Sequence, residues 1–264
     1  MKAPTSAREL LKSRDLDIFS RPLLDNASPL EGGRTLLVLG GRQPDASWLR
    51  GFVGLNDPDV WAVDSGVASC RGIGRVPSRL IGDGDSSSQG DRMWAIEGGA
   101  REHMYDRDKD LTDFQIALGV FMGDSSKKIG DDGTLILSGC FGGRTDHLMS
   151  ALFTFALSDG TGARENPRTP RVAQRCMIDD VEGILVVYPS AEASIKFHAP
   201  PGPVSLLPLS DRCAGVNAAG VKWPLEGATL YRSFPWTVSN EVRGDRVTVR
   251  CAEGVLAFCW RFGK

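Results

Sequence analysis

Four short apolar runs, each ending at a glycine or an aspartate, constrain this chain more than any other feature. Leu36–Leu39 runs into Gly40-Gly41, Val60–Val63 into Asp64, Arg79–Ile81 into Gly82-Asp83, and Leu135–Leu137 into Ser138-Gly139. Short, almost wholly apolar runs bounded by turn residues suit strands buried on both faces of a parallel sheet. Helical signals fall between them. Thr112-Asp113-Phe114-Gln115 has the Thr-x-x-Gln form of a capping box, and Phe114, Ala117, Leu118 and Phe121 then recur on one helical face. A second helix is expected over 145–157, with Leu148, Leu152 and Phe155 on one face, ending near Gly160 and Gly162. Strands alternating with helices imply an α/β domain whose ligands sit at the carboxyl ends of the strands.

Residues 1–33 mix charges with prolines and glycines and read as an N-terminal extension holding one short helix. Between 158 and 175 the text turns polar and rich in turn residues, which marks a surface loop or the approach to a linker. After it the helical period disappears. Runs at 183–188, 195–198, 204–209, 228–231, 247–251 and 255–262 read as strands, with Glu253-Gly254 as the hairpin turn before the last. At 264 residues, a prior of roughly 100–200 residues per domain points to two. The expected fold class is α/β: a Rossmann-like parallel-sheet domain over 34–175, followed by an all-β sandwich domain over 176–264.

Thirty-one Lys plus Arg stand against 33 Asp plus Glu, a formal charge of −2. That balance supplies no global cationic field for nucleic acid or an anionic membrane. No run approaches the roughly 20 apolar residues of a membrane helix, and no apolar stretch near Met1 resembles a secretory signal. Six scattered cysteines without a CxxC pair read as reduced, mostly buried small hydrophobes. These features point to a cytoplasmic protein.

The acidic residues that follow the strands carry the chemistry. Asp64 closes one strand, Gly82-Asp83-Gly84-Asp85-Ser86 closes the next, and Asp108-Lys109-Asp110-Leu111-Thr112-Asp113 leads into the capped helix. Any one of these aspartates could serve only as a cap or turn residue. Together at one sheet edge they form a costly cluster unless a cation neutralises it, and hard oxygen ligands select Mg²⁺. Gly142-Gly143-Arg144-Thr145-Asp146-His147 supplies the opposite charge, since its backbone N–H groups and the Arg144 fork suit a phosphate at a helix N-terminus. His147 reads as a capping or supporting residue, because a single histidine has no partner at metal-ligand spacing. No GxxxxGK[ST] loop, HExxH or GxGxxG after a strand is present. What remains is equipment for phosphoryl or pyrophosphoryl transfer by positioning and charge neutralisation.

At these residues the sequence resembles the thiamin pyrophosphokinase family. That family's Gly-Asp-Phe-Asp-Ser, Lys-Asp-x-Thr-Asp and Gly-Gly-Arg-x-Asp-His motifs stand here, in order, at 82–86, 109–113 and 142–147. The likeness continues in Ser205-Leu206-Leu207-Pro208-Leu209, Gly220-Val221-Lys222-Trp223-Pro224-Leu225 and Ser239-Asn240-Glu241. It implies Mg²⁺-dependent transfer of pyrophosphate from ATP to the hydroxyethyl oxygen of thiamin, giving thiamin diphosphate and AMP. It also implies a homodimer whose active site draws on both subunits. By motif, Asp64, Asp83, Asp85 and Asp113 would hold Mg²⁺. Arg144 and Asp146 would position the phosphates and metal shell, with Lys109 and Asp110 near the reacting groups and Gly40, Gly41 and Ser86 also on the nucleotide. Trp223 would face the thiamin pyrimidine, with Asn217, Ser239 and Asn240 as polar neighbours. Read without its motif, Trp223 is a core aromatic packed beside Pro224.

Three segments depart from the family pattern: Ser65 for a glycine after Asp64, Gly84 for the aromatic between the paired aspartates, and Met149-Ser150 in place of the usual small residue and Asn that end the Asp-His segment. They keep open a different heterocyclic alcohol as acceptor. A non-catalytic nucleotide- or thiamin-binding homologue is the third reading, opposed by retention of every acidic motif member.

Overall fold

The computed structural model describes residues 16–22, 33–106, 110–123, 133–158, 174–197 and 201–262. The chain divides into two compact units, Gly32–Asp179 and Asp180–Lys264, the second also taking in the N-terminal strand β1 (Leu16–Pro22). The architecture is mixed α/β, with a parallel sheet in the first unit and antiparallel sheets in the second.

In the first unit, β2 (Arg34–Val38), β3 (Asp59–Val63), β4 (Arg79–Gly82), β5 (Arg101–Met104), β6 (Thr134–Ser138) and β7 (Gln174–Ile178) pair in parallel. Their order is β7-β6-β2-β3-β4-β5. The apolar runs behave as double-sided strands: β6 and β7 are buried along their whole length, as are the last four residues of β2 and of β3. From β2 the chain moves outward through β3, β4 and β5, then returns to β6 and β7 on the other side. The strand order therefore reverses between β2 and β6, and the crevice outside the carboxyl ends of such strands is where open α/β sheets take ligands.

Among the described residues, five helices lie between the strands: α1 (Ala46–Asn56), α2 (Gly66–Ile73), α3 (Gln89–Glu97), α4 (Asp113–Gly123) and α5 (Thr145–Leu157). The capping box ahead of α4 is formed in both directions. Thr112 N–H donates to Gln115 Oε1 at 2.9 Å, and Gln115 N–H donates to Thr112 Oγ1 at 3.2 Å. Phe114, Ala117, Leu118 and Phe121 are the buried residues of α4, as their spacing requires. On α5 the buried set is Ala151, Phe155 and Ala156, so the inward face is rotated from the expected Leu148–Leu152 stripe towards smaller residues. Phe155 packs against Phe114 with ring centroids 6.3 Å apart. The wholly buried Arg175 of β7 donates to the carbonyls of Phe155 and Ser158, satisfying acceptors at the end of α5 that have no helical partner.

In the second unit, β9 (Ala191–Phe197), β11 (Arg212–Ala219), β12 (Leu225–Tyr231) and β13 (Arg246–Cys251) join β1 in an antiparallel sheet ordered β1-β9-β13-β11-β12. A second antiparallel set, β10-β14-β8, comprises β8 (Glu182–Val187), β10 (Val204–Pro208) and β14 (Leu256–Arg261). Phe197 from one sheet meets Trp260 from the other edge-to-face at 6.5 Å, so the two inner faces share one core.

Several elements differ from the sequence expectation. Residues 16–22, expected within an extension with a short helix, pair antiparallel with β9. Residues 174–178 pair parallel with β6, so the segment from 176, expected to open the β half, begins in the parallel sheet. Glu253-Gly254 closes no hairpin: β13 pairs with β9 and β11 while β14 pairs with β8 and β10, and the turn carries the chain from one sheet to the other. The expected loop at 158–175 and the helix stop at Gly160 and Gly162 fall almost wholly outside the described residues. All six cysteines are free, with burial pushing the Cys70 and Cys259 thiols up to about 12. Among the described residues, no helix is long and apolar enough to cross a membrane.

Phe155 is inaccessible to solvent at the junction of α4, α5 and β7. Phe155→Ala is expected to cost about 3–5 kcal/mol, the usual price of an emptied aromatic site, read as a lowered midpoint in urea denaturation.

Candidate active site

A cleft of about 560 Å³ opens at the carboxyl ends of β2, β3 and β6. Its floor is the turn after β2, fastened to the turn after β6: Gly41 N–H donates to Gly139 O and Arg42 N–H to Phe141 O, each at 2.7 Å. Of the residues singled out by sequence, Gly40, Gly41, Asp64, Ser86, Asp113 and Arg144 line this cleft. Asp83 and Asp85 lie outside the lining with their charges felt at Asp64, Asp146 lies outside the lining, and Asp110 is exposed and also outside it. Lys109 falls outside the described residues.

Asp64 anchors the acidic side. Its φ of 55° is left-handed, a conformation rare for a residue with a Cβ and characteristic of functional turns. Its N–H donates to Ile81 O at 2.8 Å, tying the end of β3 to β4. Burial pushes the Asp64 carboxyl above the usual carboxylate range, followed by the Asp113 charge, with Asp83 and Asp85 adding to it; a hydrogen bond from Ser86 opposes them. The four carboxylates are thus one electrostatic neighbourhood. Asp64 Oδ1 is buried and has no hydrogen-bond partner among the described residues.

The Asp83–Ser86 turn folds on itself, with Asp85 N–H donating to Asp83 Oδ1 and Ser86 Oγ donating to Asp85 Oδ1, both at 3.1 Å. Among the described residues no three His, Cys, Asp or Glu side chains form a ready-made metal cage. A hard cation that keeps its waters and takes ligands from substrate phosphates needs no such cage. Mutually repelling carboxylates with an unpaired buried oxygen fit it.

The basic side is held by two arginines. Arg144, at the N-cap of α5, forms a two-pronged pair with Asp146 at 3.1 and 2.5 Å, and Asp146 also accepts from His147 N–H at 3.0 Å. The guanidinium draws the Asp146 carboxyl below the usual range. Asp146 therefore orients Arg144 over the first turn of α5. Arg42, which no sequence motif marked, also lines the cleft; its Nη2 is 2.6 Å from Asp179, whose side chain is fully buried. Only the fold brings residues 42 and 179 together, and that separation hid Arg42 from sequence reading.

Two of the departures have a structural counterpart. The Ser65 hydroxyl lies 2.0 Å from where a Cβ on Gly40 would stand, so serine at 65 is compatible with the cleft because 40 is glycine. Gly84, with φ 81°, has Arg92 Nη1 only 2.8 Å from its missing Cβ. Arg92 is fixed there by Glu102 at 2.5 Å and by the Met104 sulfur at 3.2 Å. The space a side chain at 84 would enter is filled from α3. Ser150 lines the cleft on α5.

The second unit holds its own cavity, of about 390 Å³, lined by Ser205, Val221, Trp223, Trp236, Asn240 and apolar residues of the sheets. Trp223 is a half-exposed wall of this cavity, at 53% accessibility, in place of the core packing beside Pro224 that its sequence alone would suggest. Lys222 Nζ lies 4.5 Å over its ring and is itself 2.8 Å from Glu241. Asn217 and Ser239 do not line the cavity. The Asn217 amide accepts from Gly227 N–H and donates to Gly215 O, while Ser239, at φ 60°, sends its N–H to Ser205 Oγ. Trp236, in Phe234-Pro235-Trp236, carries no motif that singles it out, and its half-exposed place in the lining becomes visible only in the fold.

Comparison with known proteins gives a consistent result. The model for the thiamin pyrophosphokinase catalytic domain matches residues 56–162, and that for the thiamin pyrophosphokinase vitamin B1 binding domain matches residues 194–256. The chain is 24% identical over 221 residues to a thiamine pyrophosphokinase of Bacillus subtilis (strain 168), covering 83% of this chain and 94% of that protein. The crystal structure of the Bacillus subtilis thiamine pyrophosphokinase superposes with a TM-score of 0.70 at 21% identity, over 88% of this chain and all of the other. The thiamin pyrophosphokinase from Candida albicans gives a TM-score of 0.67 at 15% identity, over 94% and 99% of the two chains.

Gly84→Ala is expected to destabilise the protein by about 1–2 kcal/mol from its left-handed φ, plus the displacement of Arg92. Urea denaturation of Gly84→Ala in an Arg92→Ala background should show the smaller loss.

Proposed function

The chain belongs to the thiamin pyrophosphokinase family, and from that membership we propose a mechanism for its activity. It is a thiamin diphosphokinase, transferring the pyrophosphoryl group of ATP to thiamin. The observation that carries the mechanism is the cleft at the sheet's switch point, lined by Asp64, Asp113, Arg42 and Arg144, with the charges of Asp83 and Asp85 felt at Asp64. In this reading the Gly32–Asp179 unit is the Rossmann-like nucleotide-binding domain, and the sandwich of the second unit binds thiamin through the Trp223 cavity.

The thiamin hydroxyl oxygen attacks the β-phosphorus of ATP. The bond from that phosphorus to the α,β-bridging oxygen breaks, AMP departs, and the hydroxyl proton is released. Asp64, Asp83, Asp85 and Asp113 would hold Mg²⁺, directly or through water. Bound there, Mg²⁺ supplies neutralisation of charge on the phosphate oxygens. Arg144, steadied by Asp146, grips phosphate at the N-terminus of α5, where unpaired N–H groups and the helix dipole favour an anion. Arg42, braced by Asp179, presents a second guanidinium from the β2 turn. Gly40 and Gly41 let that turn approach the nucleotide closely, Ser86 orders the acidic turn, and Lys109 and Asp110 belong near the reacting groups by motif. Catalysis here is positioning and charge stabilisation, the usual requirement of phosphoryl-type transfer.

The reading includes a cytoplasmic homodimer in which the partner's sandwich completes the acceptor site. The exposed Tyr231, Phe234, Trp236 and Val238 support a surface that another copy covers. Ser65, Gly84 and Ser150 support the second reading, an altered acceptor. All three lie in the cleft unit rather than in the Trp223 cavity, which favours thiamin.

Protein incubated with ATP, Mg²⁺ and thiamin should release AMP and thiamin diphosphate in equal amounts. AMP formation with another alcohol and not with thiamin would select the second reading. Asp85→Asn and Asp113→Asn should each lower turnover by roughly 100-fold or more through lost charge stabilisation, with unchanged circular dichroism; full activity in both would remove the metal assignment. Arg42→Gln should raise KM for ATP about tenfold or more, as loss of a charge-assisted hydrogen bond worth roughly 1.5–3 kcal/mol requires, with KM for thiamin unchanged.

A further inference from the structure

The motif residue Asn240 lines the Trp223 cavity, and three of the four hydrogen-bonding positions of its side chain are taken by neighbouring main chain. Its Oδ1 accepts from Trp223 N–H at 3.1 Å and from Glu241 N–H at 2.9 Å, and its Nδ2 donates to Trp223 O at 2.8 Å. The amide orientation is fixed by this set, because reversing it would turn an NH₂ towards two N–H donors and an oxygen towards a carbonyl. Both main-chain polar groups of Trp223 are answered by this one side chain. The main chain of Asn240 is in turn bolted to β10, with Asn240 N–H donating to Val204 O at 2.7 Å and Val204 N–H to Asn240 O at 2.9 Å.

The need for such a clamp follows from the segment that carries the tryptophan. Pro224 has no N–H to give a strand ladder and restricts the backbone of residue 223 to extended conformations. The Trp223 ring is half-exposed, so core packing does not immobilise it. Its neighbour completes the cassette: Lys222 N–H donates to Glu241 O at 2.8 Å, and its ammonium covers one face of the indole. A ligand ring then meets an indole whose backbone and one face are already fixed, which reduces the ordering cost of binding.

We infer that Asn240 is a positioning residue that acts on acceptor binding wholly through Trp223, without touching the acceptor itself. The inference rests on the reading that the Trp223 cavity takes thiamin. A double-mutant cycle on the full chain tests it, with thiamin binding measured by titration calorimetry and with KM and kcat for both substrates.

Asn240→Ala should weaken thiamin binding about tenfold, the scale of one or two lost neutral hydrogen bonds, and leave KM for ATP unchanged. In a Trp223→Ala background the same substitution should change thiamin binding less than twofold. Asn240→Asp, which keeps the two acceptor contacts but turns a carboxylate oxygen towards Trp223 O, should also weaken thiamin binding in the parent and not in the Trp223→Ala background, and serves as the cycle's partner should the alanine variant not fold. Equal losses in both backgrounds would place Asn240 on the ligand and overturn the inference while leaving the acceptor reading intact. No loss in the parent background would overturn it as well. Thiamin that fails to bind the parent protein would overturn the acceptor reading and this inference together.

Discussion

Four carboxylates held close together at one sheet edge are the constraint on which the rest of this structure turns. Asp64, Asp83, Asp85 and Asp113 come from three different segments, and the charges of the other three raise the cost of ionising Asp64. A fold keeps such a group only by building a rigid platform beneath it. The platform is the parallel sheet, whose central strands are buried on both faces and leave no freedom in the direction of their carboxyl ends. Asp64 adds local strain through its left-handed φ. The opposing cations each have an acidic partner, Arg144 the exposed Asp146 and Arg42 the buried Asp179.

The two units solve the positioning problem differently. In the cleft, charges are aimed by strand ends and by helix α5. In the second unit, an aromatic surface is presented by polar clamps, because Trp223 lies outside the packed core and its segment is interrupted by proline. The cavity around it is mostly apolar, which suits a flat heterocycle. The cleft is lined by charges and glycines, which suits a triphosphate. One chain thus carries the two chemically distinct surfaces that a transfer from nucleotide to heterocyclic alcohol requires.

Much of this was legible in the sequence, for identifiable reasons. Strands β2, β3, β4 and β6 announce themselves because double-sided burial forces continuous apolar runs, and α4 because its capping box and its apolar face agree. What stayed hidden depends on contacts distant in sequence. The pairing of residues 16–22 with β9 follows from no local signal, and the passage of Glu253-Gly254 between sheets looks locally like any hairpin turn. At the site, the acidic and arginine motifs were readable because the chemistry compresses them into short segments. Arg42 was not, since its brace is Asp179. Asn217 and Ser239 are ligand contacts by motif alone; in the structure the Asn217 amide bonds the main chain of Gly215 and Gly227, and the Ser239 N–H donates to Ser205 Oγ. The glycine at 84 reads as a lost packing group until Arg92 is seen to fill the space.

The central claim is that the carboxylate cluster exists to hold a divalent cation against a nucleotide. Paramagnetic resonance of Mn²⁺ titrated into the protein with a non-hydrolysable ATP analogue measures this directly, because bound and free Mn²⁺ give different signals. The parent protein should remove free Mn²⁺ at a saturable site that depends on the nucleotide, and Asp64→Asn should lose most of that binding while remaining folded. Undiminished Mn²⁺ binding in Asp64→Asn, or none in the parent, would contradict the account.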